Sequence, residues 1–514
     1  GLIPFGPNPS ANLGSFEGIS KGIYAFEAIF TQTAWRSLLF LLTHLSIIKG
    51  GMHMNVKFNK KTKMMEIEYQ FREVDEPNLF RNIYPYNEVP RIVFNHRVVP
   101  LNIPEKLYIT DTTFRDGQQA RSPYTVDEIC ALFDLLHKLD NGSGIIRQTE
   151  FFLYTKVDRE AVTKCMEKGY DYPEVTAWIR AKKEDFQLVK DMGIKETGIL
   201  VSCSDYHIFK KLKMNRSQAM NTYLEIVSAA LEAGIIPRCH FEDITRADFY
   251  GFVLPFVNKL MELSSQAKIP VKIRACDTLG LGVSIPGVAL PRSVPQIIYG
   301  LVNYGDVPSE WLEWHGHNDF YKAVSNSTAA WLYGASSVNT SLLGIGERTG
   351  NTPLEAMVIE YTQLRGSDGG MNLKVITEIA EYFENELNYE IPPRTPFTGR
   401  AFNATRAGIH ADGLLKDEEI YNIFDTTKLL GRPPVVVIDA HSGLSGIAAW
   451  LNSYFMLKGD RAIDKRDERI VEIKKWIDDE YANGRTTVIG DSEMEWLAKR
   501  YFPELLSLRQ SRVE

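Results

Sequence analysis

The chain has 514 residues, enough to bury more than one hydrophobic core, and its composition is that of an ordinary globular protein. Its formal net charge of -7 and the lack of a long basic run exclude a general polyanion binder, so nucleic acid is not an expected partner. Five cysteines (Cys130, Cys165, Cys203, Cys239 and Cys276) are scattered without CxxC spacing, which excludes a disulfide framework or zinc finger and fits the reduced thiols of a cytoplasmic protein.

In chain order, the apolar run 38–48 is too short to span a bilayer and carries polar residues, so no membrane association is expected. Gly50-Gly-Met-His-Met54 resembles an engineered junction. Residues 1–53 are therefore expected to be a vector-derived or fused extension, with the native protein beginning near Met54. Residues 54–106 read as a strap rather than a domain. Val56-Lys-Phe58 and Met65-Glu-Ile-Glu-Tyr69 alternate apolar and polar side chains, which predicts a hairpin. The aromatic, proline-marked stretch 78–86 is expected to drape over a partner surface.

From residue 107 a rhythm sets in. Strands are predicted at 107–111, 145–153, 174–179, 196–202, 235–242, 271–276, 312–314 and 337–343. Helices are predicted between them, at 126–139, 217–233, 250–263 and 323–333, with Asp127 and Ser217 at caps or in first turns. Eight strands alternating with helices predict a parallel (β/α)₈ TIM barrel over 107–366. The alternative is a doubly wound open sheet, but no dinucleotide glycine fingerprint follows a strand, and Gly142-Ser-Gly144 precedes one. Residues 367–514 turn to helices (373–387, 468–482 and 492–501), broken by Ile391-Pro-Pro-Arg-Thr-Pro396. This helical region is expected to be a lid or dimerisation element.

Two stretches carry chemistry. Asp111-Thr-Thr-Phe-Arg-Asp-Gly-Gln-Gln119 sits at the carboxyl end of the first predicted strand, the edge where a barrel places its site. Two hundred residues on, His315 and His317 alternate along a strand end and point to the same side. With Asp116 they make a divalent-metal set that leaves positions open for water or substrate. Mixed nitrogen and oxygen ligation favours Mn²⁺, with Mg²⁺, Co²⁺ and Zn²⁺ as alternatives.

Together with Gly344-Ile-Gly-Glu-Arg-Thr-Gly-Asn351, these stretches resemble the three signatures of the metal-dependent aldol/Claisen TIM-barrel (DRE-TIM) family. That family includes 2-isopropylmalate synthase, homocitrate synthase, Re-type citrate synthase and 3-hydroxy-3-methylglutaryl-CoA lyase. The resemblance spans about 107–451. It implies that Asp116, His315 and His317 ligate the metal, that Asn351 is a fourth ligand or backs the others, and that Arg115 stabilises the developing enolate or alkoxide. Gln119 and Thr340 complete the implied substrate contacts. Arg406-Ala-Gly-Ile-His-Ala-Asp-Gly413 followed by Tyr421 is similar to the synthase branch, in which such a histidine and tyrosine reach the site from the partner subunit. The lyase branch's cysteine in a glycine-rich loop has no counterpart between His317 and Asn351.

The implied reaction is a Claisen condensation of acetyl-CoA with a 2-oxo acid. His410, relayed through Glu242, is the expected base, and Tyr421 acts as acid or orients the acetyl group. A dicarboxylic oxo acid wants a cation for its distal carboxylate. Arg147, where family members usually carry a glutamate, and Arg180, at the end of the third strand, are the candidates, unless they pair internally with Glu150 or Glu242. Residues 202–207 and 402–406, with the strap, look most like Re-type citrate synthases. Oxaloacetate is therefore the expected oxo acid, and homocitrate or 2-isopropylmalate synthesis remains open. The sequence after Leu430 reads as helical rather than as paired βαβ repeats, so leucine feedback is not expected.

Overall fold

The structure, a computed structural model, describes residues 56–59, 64–67, 69–406, 408–457 and 459–505. The expected extension 1–53, with its apolar run, lies outside the described residues. The chain divides into two units, residues 1–68 and 69–514. In the first, Val56–Asn59 pairs antiparallel with Met64–Ile67, the hairpin that the alternation predicts.

The second unit is built on a closed barrel of eight parallel strands: β1 Tyr108–Asp111, β2 Ile146–Phe152, β3 Glu174–Ile179, β4 Glu196–Ser202, β5 Ile236–Glu242, β6 Lys272–Asp277, β7 Leu312–Gly316 and β8 Ser337–Thr340. Each pairs with the next, and β8 closes on β1 with Thr340 opposite Asp111. The expected last strand was too long: the chain leaves the sheet at Thr340 and turns through a 3₁₀ segment, Leu342–Gly344.

Helices pack outside the strands and start where the sequence can cap them. In α1 (Val126–Asp140), Thr125 accepts from the Glu128 N–H while Glu128 reaches back to the Thr125 N–H. Asn215 and Gln218 do the same for Arg216–Glu232. Asp127 and Ser217 thus occupy first turns, each two residues beyond the true cap. The helix after β5 does not begin as an α-helix. A π-turn, Phe249–Val253, precedes Leu254–Ala267, and a second π-turn, Tyr206–Lys211, follows β4. Both lie on the carboxyl side of the barrel, where such bulges often serve function.

The strap from Tyr69 onward packs on its own barrel. The Asn78 N–H donates to Asp205 at 2.8 Å, the Tyr206 hydroxyl donates to the Leu79 carbonyl, and the Tyr84 hydroxyl donates to the Thr245 carbonyl. Ile83 and Tyr84 bury against Leu281, with Phe80, Leu279 and Phe320 around them. Beyond the barrel, Val375–Asn385 fulfils the amphipathic helix expected there. A separate apolar core gathers Ile447 and Leu451 with Ile470, Ile473, Ile477 and Leu497, from Leu444–Tyr454, Glu468–Ala482 and Asp491–Tyr501. Among the described residues, no helix is long and apolar enough to cross a membrane.

Candidate active site

The motif after β1 folds into a tight loop because one carbonyl collects three amides. The N–H groups of Arg115, Asp116 and Gly117 all donate to the Thr112 carbonyl, at 3.1, 2.8 and 3.1 Å. Buried Asp111 anchors the start of the loop by accepting from the Thr113 N–H and from the Thr113 and Thr149 hydroxyls. Burial lifts its carboxyl to about 6 despite those donors. Asp116 is thereby held over the barrel mouth.

At the end of β7, His315 and His317 reach the same point. Their Nε2 atoms are 3.2 Å apart, and they lie 3.9 and 3.7 Å from Asp116 Oδ2. All three side chains are buried, and one ligand atom from each falls within 4.8 Å of the others, the only such His/Cys/Asp/Glu group among the described residues. A network fixes the tautomer of His315. Asn339 Nδ2 donates to the Thr110 hydroxyl, so its Oδ1 accepts from His315 Nδ1 at 2.8 Å. The Nε2 lone pair of His315 is then directed at the cluster. Burial pushes both imidazoles down to about 4, which keeps them neutral near pH 7. Burial alone would raise the Asp116 carboxyl, but the Arg115 guanidinium and then the two imidazoles hold it well below its usual range.

The third motif closes the site. His317 and Asn351 form a β-bridge, and Asn351 Nδ2 donates to Asp116 Oδ2 at 2.7 Å. Glycine is required at 346, since a Cβ there would lie 2.6 Å from Asn351 Oδ1. Arg348 clamps the loop by donating to Asp319 at 2.8 and 3.0 Å and to the Thr278 carbonyl at 2.6 Å. Asn351 Oδ1 and His317 Nδ1 are buried without a hydrogen-bond partner. An anionic oxygen, convergent imidazoles and an orphaned amide oxygen suit a divalent cation.

The profile of the HMGL-like family matches residues 106–383, more than half of the chain. The chain belongs to the HMGL-like family. Among its curated relatives, the "Citrate (Re)-synthase" of Clostridium kluyveri is 62% identical, over 88% of this chain and 100% of the relative. That of Syntrophus aciditrophicus is 54% identical, over 89% of this chain and 74% of the relative. The "2-phosphinomethylmalate synthase" of Streptomyces hygroscopicus is 36% identical, over 83% and 97%.

In this HMGL-like barrel the other expected residues part company. Arg115 stands at the mouth, 2.8 Å from Asp116 and 4.9 Å over the Trp178 ring. Its Nε lies 3.5 Å from buried Glu150. Arg147 does not enter the site. Gln148 and Glu150 face the barrel axis, so the side chain at 147 turns outward. It donates to the Tyr172 hydroxyl and pairs with Glu174, at the amino-terminal end of the strands. Arg180 reaches the correct edge but pairs with Asp185 rather than with Glu150 or Glu242. Thr340 donates its hydroxyl to the Thr110 carbonyl, and Gln119 is exposed.

Glu242 does not touch His410. Its carboxylate is held by Ser202 and Lys211 and lies 2.8 Å from His207 Nδ1. Burial would raise it, yet the His207 ring, Ser202 and Lys211 bring it down to about 2. His410 and Tyr421 do meet, with ring centroids 4.3 Å apart. They line a separate 510 Å³ cavity with Arg394, Phe402 and Arg406, all residues outside the barrel. Four of the five thiols are buried and all are free. Sequence reasoning named Glu150 as an internal pairing partner but missed the interior charges Arg238, His240, Arg274 and Glu313. The signal was there, as polar residues at period two on β2, β5, β6 and β7.

Proposed function

We propose that the chain condenses acetyl-CoA with oxaloacetate and that water then cleaves the thioester, giving citrate and free CoA. The observation that carries this reading is the 62% identity to a "Citrate (Re)-synthase" along that relative's full length. Asp116, His315 and His317 would hold a divalent ion, Mn²⁺ by preference, with Asn351 steadying Asp116. When bound, such an ion acts as a Lewis acid on the keto carbonyl.

Arg115 supplies a buried, oriented cation beside the position where negative charge develops on oxygen. A methyl proton of acetyl-CoA must pass to a base before carbon–carbon bond formation. Glu242, held anionic by three partners, positions His207 and Lys211 rather than relaying to His410. His410 and Tyr421 are assigned to the acetyl group of a neighbouring subunit's site, which makes the working unit a homodimer or larger, placed in the cytoplasm. Residues 54–106 serve as the strap, 107–366 as the catalytic barrel and 367–514 as the lid that carries His410.

The test is a thiol-release assay with acetyl-CoA and Mn²⁺, offering oxaloacetate, 2-oxoglutarate and 2-oxoisovalerate in turn. Release with oxaloacetate, and citrate as product, is the expected result. A preference for either of the others would replace this reading with homocitrate or 2-isopropylmalate synthesis.

A further inference from the structure

With Arg147 and Arg180 engaged elsewhere, a cation for the distal carboxylate of the oxo acid must come from within the barrel. Below the metal cluster the axis is filled with charge. Arg274 Nη1 lies 3.0 Å from Glu150, and its Nε is paired with Glu313. Arg238 pairs with Glu313 at 3.2 Å and with Glu196, which also holds Lys272 at 2.6 Å. Each acid has a base: Asp116 with Arg115, Glu150 with Arg274, Glu313 with Arg238, and Glu196 with Lys272.

The layer just beneath the site is nevertheless short of acceptors. Arg274 is 1% exposed, yet its Nη2 has no hydrogen-bond partner, and Arg115 Nε and His240 Nε2 have only Glu150 beside them, outside hydrogen-bond geometry. Each such buried orphan destabilises the empty site unless a ligand satisfies it. Two of these atoms, and the neighbouring Nη1 of Arg274, face one carboxylate. Glu150 lies 3.5 Å from Arg115 Nε, 3.0 Å from Arg274 and 3.4 Å from His240 Nε2. The arrangement is built around glycine: a Cβ at Gly198 would stand 2.6 Å from His240 Nε2 and 2.9 Å from Glu150 Oε1.

Position fits as well. Cys276 is opposite His315 in the sheet, and Arg274 precedes it by two residues, about 7 Å lower along the strand. An arginine side chain rising from there spans that gap. In oxaloacetate the distal carboxylate is two bonds from the keto carbon. Because the axial pairs cancel, a divalent cation and a dianionic substrate leave the mouth neutral, whereas a monoanion leaves one positive charge buried.

We infer that Arg274, with His240 beside it, receives the distal carboxylate of the 2-oxo acid and sets the preference for oxaloacetate. The assignment rests on the synthase reading above. It is tested with 2-oxobutyrate, in which a methyl group replaces that carboxylate. In Arg274→Lys and Arg274→Met, the kcat/KM ratio of oxaloacetate to 2-oxobutyrate should fall about 100-fold, chiefly through the KM for oxaloacetate. Mn²⁺ binding, followed by calorimetry, should stay within threefold of wild type. A ratio that stays within threefold, or two substrates that weaken together, overturns the inference while the synthase reading stands. Wild-type enzyme that releases no thiol with oxaloacetate overturns the synthase reading itself. If neither variant folds, His240→Gln removes the neighbouring ring without unpairing a carboxylate, and an unchanged ratio there overturns the inference.

Discussion

Asn339 and Glu355 show how a single side chain touching no substrate can still govern the site. Asn339 fixes the His315 tautomer through a 2.8 Å hydrogen bond. Asn339→Ala should weaken Mn²⁺ binding about 10–100-fold, read by calorimetry, while leaving the far-ultraviolet circular dichroism spectrum unchanged. Glu355 is buried beside the third motif, where it accepts from the Leu343 N–H, and burial raises its carboxyl from 4.5 to about 7. The folded chain therefore keeps a proton that the unfolded chain releases above about 4.5. Its contribution to stability is complete below that pH and is lost as pH rises through about 7. Urea melts at pH 5 and pH 8 should differ by on the order of 3 kcal/mol more in wild type than in Glu355→Gln. Equal differences would show that Glu355 is charged throughout.

At the scale of elements, the eight strands and their order were legible because apolar runs recur with helical spacers between them. The Asp116, His315 and His317 cluster was legible because one acidic motif followed the first strand and two histidines alternated on the seventh. Other features were not. A π-turn has no sequence period of its own, so although 202–207 carried a resemblance, nothing in the sequence showed that His207 and Lys211 are aimed at Glu242. Arg147 was assigned by position in a motif, although the parity of Gln148 and Glu150 on the same strand already turned it outward. The Tyr206–Lys211 turn also leads into the helix that starts at Arg216, a fully buried arginine. Arg216 pairs with Asp205 at 2.7 Å and Asp248 at 3.0 Å and donates to the strap carbonyl of Arg72. Arg216→Met leaves the buried Asp205 and the partly buried Asp248 carboxylates uncompensated and should cost about 3–5 kcal/mol in urea unfolding. A loss below 1 kcal/mol would mean that water replaces the guanidinium.

For the whole molecule, the question is whether His410 and Tyr421, which line a cavity of their own, serve the Asp116, His315 and His317 cluster at all. If sites are shared across subunits, Asp116→Ala and His410→Ala chains should each be inactive alone. Mixed and reassembled, they should regain roughly a quarter of wild-type thiol release, because half of random dimers contain one intact site of two. No recovery on mixing would place both residues in a site with their own barrel.

The paired charges along the barrel axis bear on how such an enzyme changes its diet. Glu196, Lys272, Arg238 and Glu313 make up a lower storey that needs nothing from the substrate. The upper storey, Glu150, His240 and Arg274, is where vacant donors gather. A swap on the upper floor can therefore alter which molecule is welcome and leave the foundations standing, so new appetites can evolve here without the cylinder having to be rebuilt.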